Sequence, residues 1–127
     1  MPAIPSSNAE TNLIDVGIVE NIDSKFVHTS FTSSSTILTL TNEGNLSEHF
    51  WGSGQLITQW SLELNTTVNS ATIDGSGNLV AIATPEGAFV VNIIQKTITR
   101  TLNSTNSVDY VLWDAEGDLW LAHYGGE

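Results

Sequence analysis

Cysteine is absent from all 127 residues. Disulfides, thiolate nucleophiles and cysteine-ligated zinc are therefore excluded, while either redox environment stays open. Positive charge is almost as scarce: three Lys plus Arg stand against fourteen Asp plus Glu, a formal net charge of -11. Such a surface repels phosphate and anionic headgroups, so neither nucleic acid nor a membrane is an expected partner. Long apolar runs are missing too. The most apolar window, Leu79 to Ile94, is broken by Pro85, Glu86, Gly87 and Asn92, which leaves no span long enough to cross a bilayer as a helix. The opening MPAIPSSNAETN has neither a basic stretch nor an apolar run and does not read as a secretory leader. Three acceptor sequons, beginning at Asn45, Asn65 and Asn103, favour an extracellular or periplasmic location if a leader has been removed.

What the sequence does contain is a repeat. DGSGNLVAIA, from Asp74 to Ala83, returns forty positions later as DAEGDLWLAH, from Asp114 to His123. The offset sets Val68 on Val108, Asp74 on Asp114, Gly77 on Gly117, Asn78 on Asp118 and Leu79 on Leu119, and five ordered matches mark a true period. Twice the offset lays Leu13–Ser24 on Ile93–Ser104, and a more diverged copy runs through FVHTSFTSSSTILTLTNEG. Within a unit, apolar and β-branched runs of five to seven residues alternate with Gly, Asn, Asp and Pro clusters, the pattern of short strands. The central unit reads as strands over Val68–Ile73, Asn78–Thr84, Ala88–Ile93 and Lys96–Leu102. An all-β fold of four-stranded, propeller-type blades is expected, about three to the chain, making one domain.

The stretch DAEGDLWLAHYGG resembles the repeat of the two-component-regulator and streptogramin-lyase-like propellers. Asp114, Gly117, Asp118, Leu119, Trp120, Leu121, Ala122 and Gly125 match its pattern, and the copy at Asp74 carries Val80 where the pattern has Trp. The expected organisation is a blade over 27–64, a second over 68–102, and a third shared between strands at 8–22 and strands at 108–124. Three blades do not close a ring of the usual four to eight. A head-to-tail homodimer with six blades is therefore the expected partner arrangement, in which each chain completes the other's shared blade.

Candidate functional residues are few. Asp74, Asp114 and Asp118 stand at alternate positions with other oxygen-bearing side chains, as in the first half of a calcium loop. Leu79 and Leu119 fall where that loop needs Gly, and its closing acid is missing, so these aspartates read first as turn braces. His28, His49 and His123 lack zinc-site spacing. The resemblance implies a catalytic histidine in the lyase branch, and His123, inside the matching motif, is the sole nominee for a general base. Ligand-contact candidates are Trp51, before a Gly-Ser-Gly turn and expected at the surface, with Asp109, His123 and Tyr124. Trp113 and Trp120 are expected to fill the space between blades. No cofactor is expected. The reading favours a non-catalytic binding and assembly module, against a lyase- or hydrolase-type propeller enzyme or a piece of an extracellular sensor.

Overall fold

A computed structural model describes residues 25–123, and within them the chain is all-β, with ten strands and no helix. The expected strands within residues 8–22, and Tyr124, lie outside the described residues. The first sheet is an antiparallel meander of β1 (Phe26–Phe31), β2 (Thr36–Thr41), β3 (Asn45–Gly52) and β4 (Gln55–Glu63). The second repeats it with β5 (Ser70–Ile73), β6 (Leu79–Thr84), β7 (Gly87–Asn92) and β8 (Thr97–Asn103). A third sheet has two strands among the described residues, β9 (Tyr110–Trp113) and β10 (Leu119–Ala122).

Period-two alternation stacks these sheets in chain order. On β6, Val80 and Ile82 join Leu38, Leu40 and Leu46 of the first sheet in one core, while Ala81 and Ala83 point the other way and meet Val108 and Val111. All four β6 side chains are completely buried, so β6 is covered on both faces. The first and third sheets thus lie on opposite sides of the second, in an open stack. We call the face a sheet turns toward the next sheet its front, and the opposite face its back. Small Ala81 and Ala83 on the second sheet's front let the third approach closely. The larger leucines on the first sheet's front fill a thicker layer beneath Trp60, Leu62, Ile73 and Phe89.

The period is visible in the backbone as well as in the side chains. Val68 donates to the Asn42 carbonyl and Val108 to that of Thr84; Asn69 donates to Ala83, and Asp109 to Ala122. Each pair ties the entry of one sheet to a strand already laid down, or to its own second strand. The buried Val68 and Val108 plug the layers at those points.

One detail of the repeat departs from the gapless sequence alignment. In the second sheet Ile73 pairs with Val80, enclosing residues 74–79, whereas in the third Trp113 pairs with Leu119, enclosing only 114–118. The amide of Asp74 accordingly reaches the Leu79 carbonyl, but that of Asp114 reaches Asp118. The structural counterpart of Leu119 is Val80 and not Leu79. A one-residue shift in a strand exchanges its faces, so Leu119 and Leu121 turn back into the core and Trp120 turns to the front. Trp120 is 61% exposed, which corrects its expected burial; Trp113 packs partly buried against the second core cluster.

Candidate functional site

The chain direction in a meander fixes which residues share an end. Turns after the first and third strands of each sheet lie at one end, and turns after the second strand lie at the other. Trp51, Asp74 and Asp114 therefore sit at one end, and Asp109 and His123 at the opposite one. The ligand-contact candidates Trp51 and His123 do not form one site. Trp51 is also half-buried, with its backbone amide bound to the Ser35 carbonyl at 2.8 Å, and is not the exposed residue its Gly-Ser-Gly neighbours suggested.

At the Trp51 end, the aspartates brace turns. Asp74 Oδ1 accepts from the amides of Gly77 at 3.1 Å, Asn78 at 3.2 Å and Leu79 at 3.1 Å, and Ser76 Oγ adds a bond at 2.9 Å. Gly77, at φ 81°, supplies the left-handed conformation that wraps the amides around the carboxylate. Partial burial, the largest single influence, pushes the Asp74 pKa up, but the bonds from Ser76, Leu79, Asn78 and Gly77 together outweigh it and hold the carboxyl below its ordinary range. Asp114 accepts from the amides of Glu116 and Asp118, both at 2.9 Å, and from the Trp120 indole at 2.7 Å. The indole bond is the main cause of its lowered pKa, followed by the Asp118 amide. Among the described residues no three His, Asp or Glu side chains converge on a point that would hold a metal ion.

A pH prediction follows for Asp74. A carboxyl whose folded pKa lies below its unfolded one stabilises the fold above the unfolded value and loses that contribution as pH falls through the folded value. Asp74→Asn is expected to lower stability by about 1 kcal/mol at neutral pH, because one charge-assisted acceptor is replaced by a neutral one at a partly exposed turn. Urea midpoints of variant and parent should converge as the solution is acidified below the ordinary carboxylate range.

At the other end, three polar residues meet around Ser107. His123 Nδ1 lies 2.7 Å from the Ser107 carbonyl oxygen; a carbonyl only accepts, so Nδ1 carries the proton and a neutral ring leaves Nε2 as its acceptor. Ser107 Oγ donates to Asp109 Oδ1 at 3.4 Å and accepts from Asn69 Nδ2 at 3.1 Å, which also reaches the Val108 carbonyl at 2.8 Å. Asp109 and His123 are thus brought together through Ser107. Asn69 was missed in the sequence, although the forty-residue offset places it on Asp109.

No protein-family model matches this chain, and neither does any curated protein. Its chemistry has to be read from its own geometry.

The most distinctive feature of that geometry is the third sheet. In the second sheet β6 pairs with β5 on one edge and β7 on the other, but β10 pairs with β9 alone among the described residues. Beside its other edge is a cavity of about 570 Å³, walled by the front of the second sheet at Ala88, Val90, Arg100 and Leu102 and by Trp113, Leu119 and Leu121 of the third. This is the position that the third and fourth strands occupy in a full sheet. The front of the third sheet is apolar and solvent-facing, with Tyr110, Leu112 and Trp120 all exposed.

The back of the first sheet carries a polar layer. Thr39, Ser47 and His49 are buried there, and His49 bonds through Nε2 to Thr39 Oγ1 at 2.9 Å and through Nδ1 to Thr58 Oγ1 at 3.0 Å. Hydroxyls serve either tautomer, so both ring nitrogens are satisfied. This polar layer was not legible in the sequence, where His49 shows no ligand spacing. His28 lies on the sheet's front, bound to Ser30 Oγ at 3.1 Å, and burial pushes its pKa down, which keeps the ring neutral.

Proposed function

We propose that this chain is a non-catalytic binding and assembly module of the β-propeller type, whose sheets are blades and whose ring is closed by a second copy. The two-stranded third sheet carries the reading. An open strand edge beside an apolar cavity accepts added strands, which supply both backbone hydrogen bonds and apolar burial. Strands from residues 8–22 of a partner copy fill that place in the proposal, and two chains of three blades make the six-bladed ring. The likeness of DAEGDLWLAHYGG to the streptogramin-lyase-like repeat adds to it, as does the blade-like stacking of each sheet on the last.

Light scattering of the intact chain is expected to give twice 13.7 kDa, and deletion of residues 1–24 to abolish that species and cause aggregation. A well-folded monomer of the intact chain overturns the proposal. The enzyme reading has one observation in its favour, the meeting of Asp109 and His123 at Ser107. General acid–base work needs such a pair to converge on one opening, but Asp109 and His123 both turn to Ser107, whose bonds tie the second sheet's entry to the third's. A structural joint accounts for them, and His123→Ala is expected to leave the dimer mass unchanged.

A further inference from the structure

The polar layer on the back of the first sheet is covered. We infer that residues 8–22 lie across it in their own chain, as a docked half-blade that a second copy then joins. The docking stands on burial alone, and only its consequence for the ring rests on the assembly reading above.

Thr39 and Thr41 of β2 and Ser47 and His49 of β3 share that face, and all four are buried, His49 to 1% exposure. Flanking strands shield a side chain from its sides but not from above, so an imidazole hidden to this degree has atoms over it. The second sheet packs against the opposite face and the third lies beyond the second. Neither supplies the cover. On the same face Phe26, Thr29 and Phe31 of β1 are exposed, as are Thr58, Ser61 and Glu63 of β4. A cover confined to the two middle strands has the width of an extended segment, not of a whole sheet.

Chain length names the occupant. Residues 1–24 precede the described part and residues 124–127 follow it. The latter four extend over at most about 14 Å, whereas the third sheet is two layers of about 10 Å each from the first. They fall short. Residues 1–24 enter β1 directly, and Phe26 already stands on the back, opposite Thr41.

The chemistry agrees. His49 bonds to Thr39 and Thr58, and Ser47 Oγ bonds to Ser61 Oγ at 2.8 Å and to Asn45 Oδ1 at 2.6 Å. With its polar atoms bonded within the sheet, the layer accepts an apolar cover without stranding a donor or acceptor. In LIDVGIVENI, Ile14, Val16 and Ile18 fall at alternate positions and give an extended chain one apolar face. The ring then closes by edge pairing. Each chain keeps its own segment and offers it as a ready edge to β10 of the second copy, so assembly needs no exchange of strands.

Diethyl pyrocarbonate, which acylates accessible imidazoles, reads the cover at His49, and mass spectrometry resolves it from His28 and His123. In the intact chain His49 is expected to be unreactive while His123 reacts. Ile14→Asp together with Ile18→Asp should raise acylation of His49 about tenfold or more by local opening, while His28, on the front of the same sheet, keeps its rate. A His49 that stays unreactive, or that reacts only together with His28, overturns the docking. The unsubstituted chain is also probed on dilution below the concentration at which light scattering gives a dimer. Protection that persists in the monomer is the expected result. Protection lost with the dimer assigns the cover to the second copy and overturns the inference, with the assembly reading left standing. A monomeric mass at every concentration, with His49 still protected, overturns the assembly reading and leaves the docking intact.

Discussion

Gly87→Ala is expected to destabilise the chain by about 3–5 kcal/mol, the sum of typical backbone strain and overpacking. Gly87 opens β7 at φ 146°, a conformation that side-chain-bearing residues rarely adopt, and an added Cβ would lie 1.8 Å from the Leu102 carbonyl oxygen and 2.9 Å from its carbon. Both neighbours are backbone, and Gly87 is registered against Thr84 on one side and Asn103 on the other. No rotamer relieves the clash; β7 and β8 must part. Gly75→Ala is the control, because a Cβ there meets nothing within 4 Å and the backbone lies outside the left-handed region. Its denaturation midpoint should be unchanged or slightly raised, and equal losses at the two glycines would refute the steric account.

The second large effect is expected at Ile82. Its side chain is completely buried in the core shared by the first and second sheets, beside Leu38, Leu40, Leu46 and Val91. Ile82→Ala is expected to lose about 2–5 kcal/mol through lost burial and an unfilled cavity. Domains of this size are commonly stable by about 5–15 kcal/mol, so a large part of the total is at stake. The shared core also predicts the form of the loss. Tryptophan fluorescence, which reports the first sheet through Trp51 and Trp60 and the third through Trp113 and Trp120, and far-ultraviolet dichroism, which averages all sheets, should shift together in urea. A biphasic melt in which one sheet survives would show that the layers fold independently. Ile94→Ala, at a site 70% exposed, should change little.

The strand pattern was legible because its punctuation is strong: Asp-Gly-Ser-Gly, Pro-Glu-Gly and Asp-Ala-Glu-Gly separate runs that have no helical alternative. The turn-bracing role of Asp74 and Asp114 was readable for the same reason, since local chemistry within five residues decides it. Three features were hidden. The separation of Trp51 from His123 depends on which end of a meander each occupies, a property of the whole sheet and not of any motif. The Thr39–His49–Thr58 layer depends on pairings ten and nine residues apart, and its members look like ordinary surface polar residues in the sequence. The third was the length of one hairpin, because Asp, Gly and Leu align at a constant offset of forty while the hydrogen bonds close one residue earlier in the later copy.

That hairpin bears on how such a chain changes over generations. The loop at 114–118 is one residue shorter than the loop at 74–79, and the difference alone decides whether the bulky indole that follows is hidden or shown. A single-codon deletion or insertion, leaving every side chain in the strand intact, exchanges an inward aromatic for an outward one. Descent by duplication thus has an inexpensive route from a repeat that buries the residue at this place to one that exposes it. The innovation lies in the spacing, and a comparison of residue identities position by position would pass over it.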